Sequence, residues 1–221
     1  MHDQSRLHGP FLAALLVLLL AYPLVLKAGY LGAFRAVFAG TLIMAVVAVG
    51  GRRKLLLLAV ALAAPALLGQ LLMHVRGGGL VDETTARFSG LVAGAAFLAF
   101  VTVVILRSVL AAGRVTADKI AGAISVYLLL GLVWSLLFGV VHSLDPSAFS
   151  PANADAHTHT PADEYRLVFF SFVTLTTLGY GDITPLTPIA QTLSWMEAVV
   201  GQLYLAVLVA RLVGLHIAAR E

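Results

Sequence analysis

The sequence predicts an all-α membrane protein with six transmembrane helices and one shorter, re-entrant helix. Of its 221 residues, 60% are hydrophobic and only 11% are charged, a composition typical of chains embedded in lipid. Six apolar runs each approach the ~20 residues that a helix needs to cross a bilayer. They cover residues 10–27, 31–50, 54–74, 88–110, 118–142 and 189–214.

The distribution of basic residues predicts the orientation of these spans. If both termini are cytoplasmic, nine of the 14 Lys and Arg residues, including the cluster Arg52, Arg53 and Lys54, fall on the cytoplasmic side. Cytoplasmic loops of membrane proteins carry this excess. The first run follows Arg6, as a signal peptide would, but no small-residue cleavage site comes after Leu26. We therefore interpret it as a retained span.

A polar segment, Ser143 to Asp163, separates the fifth and sixth spans, and we expect an exposed outer loop there. His157 and His159 within it are candidates for zinc binding or pH sensing, although such residues in a loop are commonly just solvated. Thr160 and Pro161 are typical of a helix start. The apolar segment Tyr165 to Thr176 is too short to cross, so we predict a re-entrant helix enclosed by protein.

Seven residues, Thr176 to Asp182, follow this helix with the sequence TTLGYGD. A dehydrated cation needs several oxygen dipoles at once, and backbone carbonyls supply them without the tight binding of carboxylates. Aiming successive carbonyls at one axis requires alternating right- and left-handed backbone, which glycine enters without steric cost. We predict left-handed conformations at Gly179 and Gly181, with Leu178 and Tyr180 turned away to brace the strand.

This stretch resembles the selectivity filter of potassium channels, with Leu178 where valine is common. The resemblance implies a homotetrameric channel in the lipid of the plasma membrane, with K⁺ as the permeant ion and no organic cofactor. The ion-binding residues it implies are Thr177, Leu178, Gly179, Tyr180 and Gly181. Of these, Thr177, Leu178, Gly179 and Tyr180 would hold K⁺ directly. The residues expected to support the filter are Thr176, Asp182 and Glu197.

The resemblance also divides the chain into two domains. Residues 1–115 would form a four-helix transmembrane domain, and residues 116–221 a pore domain of outer helix, turret, pore helix, filter and inner helix. The first domain occupies the position of a voltage sensor, which needs several arginines within one membrane helix. The fourth span has only Arg87 and Arg107, at its two ends. We predict weak or absent voltage sensing.

Two residues of the sixth span invite a functional interpretation. Gly201 lies where related inner helices place a hinge glycine, and either bending or close packing would explain it. Glu197 is an ionisable residue within a span, where burial is costly without a partner. We expect it to face the pore helix or the filter; the alternative is an anchor near the outer interface.

The aromatic residues of the pore helix, Phe169, Phe170 and Phe172, are predicted to form a collar against Tyr180. Phe169 and Phe170 stand where many potassium channels have tryptophans, and Val173 where some have glutamate. Asp182 therefore lacks both familiar hydrogen-bond partners.

Other functions remain open at this stage. A weakly selective cation channel and a non-conducting membrane sensor or scaffold are the alternatives. We expect no enzyme, because no paired acids, metal-ligand cluster or activated nucleophile lies at membrane depth, and no nucleic-acid partner, because no basic stripe is present. The gate is expected either in the filter or near Val207 to Leu212. We expect no cytoplasmic regulatory domain, because few residues follow the sixth span.

Overall fold

A computed structural model of the chain describes residues 8–50, 57–64, 83–111, 116–150 and 161–218. Most of these residues are helical; the rest form two very short strands and the connecting turns and loops. The helices are α1 (His8–Ala28), α2 (Leu31–Gly50), α3 (57–64), α4 (Glu83–Leu110), α5 (Ala117–Leu144), α6 (Pro161–Leu175) and α7 (Pro188–Ala218). The strands are β1 (Phe149–Ser150) and β2 (Thr184–Pro185).

Four of the described helices are long and apolar enough to cross a membrane: His8–Ala28, Arg87–Leu110, Ala117–Leu144 and Pro188–Arg211. They correspond to the first, fourth, fifth and sixth predicted spans. The second predicted span coincides with α2, in which Arg35–Met44 is an apolar helix of shorter length. Most of the third predicted span lies outside the described residues. The helical membrane fold is therefore confirmed for four spans.

Local sequence explains where α6 and α7 begin. α6 begins at Pro161 and carries Asp163 and Glu164 in its first turn, where a fixed φ and negative charge both favour a helix start. The Thr187 hydroxyl accepts a hydrogen bond from the Ala190 amide, 3.4 Å away, at the start of α7. These starts agree with the predicted ones.

The chain forms two compact units, and α4, α5 and α7 contribute residues to both. The first unit comprises Met1–Ala61, Phe97–Leu130 and Leu203–Glu221. Here the Asp118 carboxylate accepts hydrogen bonds from the His8 and Gly9 amides at 2.9 and 3.1 Å. Asp118, which lies in the first turn of α5, thus caps α1.

The second unit comprises Leu62–Ala96 and Gly131–Gln202. Its hydrophobic core includes Phe138 of α5, Phe149 of β1 and Phe170 of α6, with ring centroids 5.0–5.6 Å apart. Strand β1 pairs antiparallel with β2. The expectation that Ser143 to Asp163 is an exposed loop is therefore wrong at Ala148 and Phe149, because Phe149 completes this aromatic cluster and is only 4% exposed.

Candidate functional site

The loop after α6 is tied to the last turn of that helix by its own amides. The Leu178 and Gly179 amides both donate to the Val173 carbonyl, at 2.9 and 3.3 Å. The Thr177 amide donates to the Thr174 carbonyl at 2.9 Å. These bonds satisfy carbonyls that the end of a helix leaves without partners. The first residues of the loop are therefore positioned by α6.

The backbone of the loop alternates in handedness at every second residue. Thr177, Gly179 and Gly181 have positive φ values of 58°, 59° and 79°, whereas Leu178 and Tyr180 do not. The predicted left-handed glycines are confirmed. Thr177 was not predicted, because a left-handed conformation costs a residue with a Cβ about 1–2 kcal/mol. Thr177 lies two residues before Gly179, as Gly179 does before Gly181, and this spacing could have predicted its left-handed conformation.

The side chains that brace the loop differ in part from the predicted collar. The Phe169 ring stacks on the Tyr180 ring, with centroids 6.1 Å apart and planes 7° apart. Phe170 instead packs in the core with Phe138 and Phe149, and the Phe172 ring lies beside Gly131 of α5. Successive helical residues point about 100° apart, so Phe170 points away from the face that carries Phe169, while the Phe172 ring is packed against α5. The predicted collar is confirmed for Phe169 alone.

The open face of the loop is exposed in the single chain. Every residue from Thr176 to Asp182 is exposed, and Leu178 and Tyr180 keep 55% and 66% of their surface accessible. Within the described residues, no hydrogen bond reaches the Asp182 carboxylate. The neighbouring Ile183 is buried, and the Leu186 amide donates to the Ala148 carbonyl at 2.8 Å. The chain beyond the loop is thus anchored while the loop itself faces outward.

Helix α7 approaches the loop and the end of α6 through two adjacent residues. The Gln202 side-chain amide donates to the Thr177 hydroxyl at 3.4 Å. A Cβ on Gly201 would lie 2.4 Å from the Leu175 carbonyl oxygen, which is closer than real side chains come to backbone. Close packing therefore accounts for Gly201, and a hinge there stays a prediction.

Residues 122–216 match the model of a family described as an ion channel. This stretch includes α6 and the loop Thr176 to Asp182, and its match supports the resemblance to the pore-loop potassium-channel family. The resemblance drawn from the filter residues is confirmed for this part of the chain. No curated protein and no solved structure matches the chain.

Glu197 lies inside the matched stretch and is fully buried. Its Oε1 atom is 2.6 Å from the hydroxyl oxygen of Ser171 in α6, so its side chain faces α6, the predicted pore helix, as expected. Its role in supporting the filter stays a prediction. Ser171 was not singled out, although a lone hydroxyl among the phenylalanines of α6 was a signal that could have found it.

Two other predicted sites can be placed only in part. His157 and His159 lie outside the described residues. Among the residues that the structure describes, no group of three or more His, Cys, Asp or Glu side chains could hold a metal ion. Thr176, predicted to support the filter, donates its hydroxyl to the Phe172 carbonyl at 2.7 Å, which closes the last turn of α6.

Proposed function

We propose that the chain is a potassium-selective channel that conducts K⁺ passively across the plasma membrane. The alternating backbone at Thr177, Gly179 and Gly181 carries this proposal. Such alternation turns carbonyls of successive residues toward the same side, where they can replace the water around a cation. K⁺ would contact the carbonyls of Thr177, Leu178, Gly179 and Tyr180, with the Thr177 hydroxyl at the inner end.

A homotetramer in lipid is the assembly that we propose. One loop offers oxygen atoms on one side of an ion, and this chain has one filter sequence. Four copies around an axis would enclose the ion. The exposed open face of Thr176 to Asp182 and the exposed apolar residues of α7, among them Val199, Leu203 and Val207, are the surfaces such an assembly would cover.

Support for six spans comes from contacts within the first unit. The start of α1 meets the end of α4, since His8 Nε2 lies 3.2 Å from the Ser108 hydroxyl. An even number of crossings must therefore separate these two points. α1 and α4 are both candidate spans, so the chain between them crosses twice or not at all. The 20-residue helix α2 favours two crossings.

Both ends of the proposed pore domain would lie on the same side of the membrane. The start of α5 reaches α1 through Asp118, and Arg211 near the end of α7 donates to the Leu110 carbonyl at the end of α4. The excess of Lys and Arg in these segments points to the cytoplasm. We infer cytoplasmic termini and a filter that opens outward.

The experiment that tests this function is ion flux from liposomes that contain the purified protein. We expect K⁺ flux, a reversal potential in mixed Na⁺ and K⁺ that follows K⁺, and loss of flux in a Gly179→Ala variant. Equal passage of Na⁺ and K⁺ would instead indicate a weakly selective cation channel. Absence of flux would contradict conduction and favour a membrane sensor or scaffold.

A further inference from the structure

A chain of polar contacts joins three helices behind the filter. Glu197 of α7 has Oε1 2.6 Å from the Ser171 Oγ of α6. The same Ser171 Oγ lies 2.6 Å from the carbonyl oxygen of Gly131 in α5. Glu197 and Ser171 are both fully buried. The three groups therefore connect the pore helix to the helices on either side of it.

Counting hydrogen atoms assigns the proton on Glu197. Two short contacts meet at the Ser171 Oγ, but a hydroxyl has a single hydrogen to donate. The Gly131 carbonyl is an acceptor only, so the second hydrogen has to come from the carboxyl group. A protonated Glu197 donates to Ser171, and Ser171 donates to Gly131. Both contacts are then hydrogen bonds.

The surroundings of Glu197 agree with an uncharged group. Its second oxygen, Oε2, is buried and has no hydrogen-bond partner among the described residues. A buried ionised carboxylate is very costly, because one hydrogen bond does not compensate the desolvation of its charge. An unpartnered carbonyl oxygen of a neutral acid costs far less.

The helices pack closely around these groups. A Cβ on Gly131 would lie 2.8 Å from the Phe172 ring, and a Cβ on Gly201 would lie 2.4 Å from the Leu175 carbonyl oxygen. Ser171 is two residues before Val173, whose carbonyl accepts the Leu178 and Gly179 amides. A shift of α6 at Ser171 would therefore move the start of the filter.

We propose that Glu197 is a positioning residue that works as a neutral acid, fixing the pore helix through Ser171 and the Gly131 carbonyl. This rests on the proposed channel function. The side chain touches no permeant ion; it acts through α6 on the carbonyls of the filter. Position 197 therefore requires an uncharged side chain that is as long as glutamate and donates a hydrogen bond.

Infrared difference spectroscopy of the purified full-length protein tests the proton directly. We expect the wild-type protein to show a carbonyl band of a protonated carboxyl group at neutral pH, and Glu197→Gln to remove it. Ser171→Ala should keep the band but shift it to higher wavenumber, because the carboxyl loses its acceptor. If Glu197→Gln removes no such band, the glutamate is ionised and the proposal is wrong. This readout does not depend on conduction.

Function is tested by comparing substitutions that keep or remove the donor. Glutamine can donate its amide hydrogen to Ser171, so Glu197→Gln should keep the K⁺-to-Na⁺ permeability ratio within about twofold. Glu197→Leu removes the donor and should lower that ratio by about tenfold or more, on the order of one lost buried hydrogen bond. Equal behaviour of the two variants would overturn the proposal.

Ser194→Ala is the matched control for Ser171→Ala. Ser194 is also buried, but its hydroxyl donates to the Ala190 carbonyl of its own helix at 2.8 Å. We expect Ser194→Ala to leave permeation unchanged and Ser171→Ala to impair it. If Ser171→Ala fails to fold, the double variant Ser171→Ala with Glu197→Leu decides, because it also removes the Glu197 donor that Ser171→Ala leaves unpaired. It should recover folding; failure to recover would contradict the pairing.

Discussion

Thr177 has the most demanding backbone conformation for its residue type of any residue in the loop. It is the one described residue other than glycine with a positive φ, and its hydroxyl accepts a hydrogen bond from Gln202. A glycine would adopt this backbone at less cost. The presence of threonine at a strained position therefore favours a use for the hydroxyl.

Substitutions at Thr177 separate the hydroxyl from the backbone. Thr177→Ser keeps the hydroxyl, and we expect K⁺ conductance within about twofold of the wild-type value. Thr177→Ala removes the hydroxyl but keeps a Cβ, and the K⁺-to-Na⁺ permeability ratio should fall by about tenfold, as expected for one lost oxygen ligand. Reversal potentials in bi-ionic solutions measure both. A normal ratio in Thr177→Ala would show that the hydroxyl has no role in selectivity.

At the scale of elements, the length of α6 decides how the loop is presented. Its 15 residues span about 22 Å, less than the ~30 Å hydrocarbon core of a bilayer. The helix is therefore too short to cross the membrane, as a re-entrant helix would be, and the Val173 carbonyl near its end accepts two amides of the loop. The position of the start of the loop therefore depends on how α5 and α7 hold α6.

Gly201 distinguishes close packing from bending in α7. A Cβ there would overlap the Leu175 carbonyl, so Gly201→Ala should force α7 away from α6 and destabilise the protein by about 1–3 kcal/mol. Thermal unfolding in detergent measures the loss. Gly90→Ala in α4 is the matched control, since its Cβ would meet no heavy atom within 4 Å. It should be neutral or slightly stabilising.

A hinge at Gly201 would give a different pattern. Alanine is a better helix former than glycine, so stiffening a hinge would raise or preserve stability while changing the rate of opening. Unchanged thermal stability of Gly201→Ala together with slowed opening of single channels would contradict the packing explanation.

At the scale of the whole molecule, the proposed six-span topology would place the two ends of α5 on opposite sides of the membrane. The protein has no cysteine, so single cysteines can report topology without background. Ala111 and Ser147 are both exposed residues, just before the start and just after the end of α5. Ser147→Cys should react with an impermeant maleimide in intact cells, and Ala111→Cys only after permeabilisation. Reaction of Ala111→Cys in intact cells would contradict cytoplasmic termini.

The charge content of the first four spans determines the expected response to voltage. In α4, arginine occurs near the two ends, as Arg87 and Arg107. A charge crossing the full field contributes about 2.3 kcal/mol per 100 mV, and several such charges make opening steep. We expect a conductance-voltage curve with an apparent gating charge below about one elementary charge per channel. A steep curve would show that this part of the protein senses voltage.

The sequence predicted what depends on local chemistry. The apolar runs predicted helices α1, α2, α4, α5 and α7 close to their observed ends, because span length and hydropathy are properties of neighbouring residues. The left-handed backbone at Gly179 and Gly181 was predicted for the same reason, since only glycine adopts it freely. Both features follow from consecutive residues.

Only the tertiary structure decided which distant groups meet. Glu197 and Ser171 are 26 residues apart, Ser171 and Gly131 are 40 apart, and Asp118 and His8 are 110 apart. Phe149 looked like part of a polar loop until its burial against Phe138 and Phe170 was seen. The period of a helix tells which residues share a face, but not which face of another helix that face contacts. Which helix faces meet is decided only in the packed protein, and here that packing positions α6.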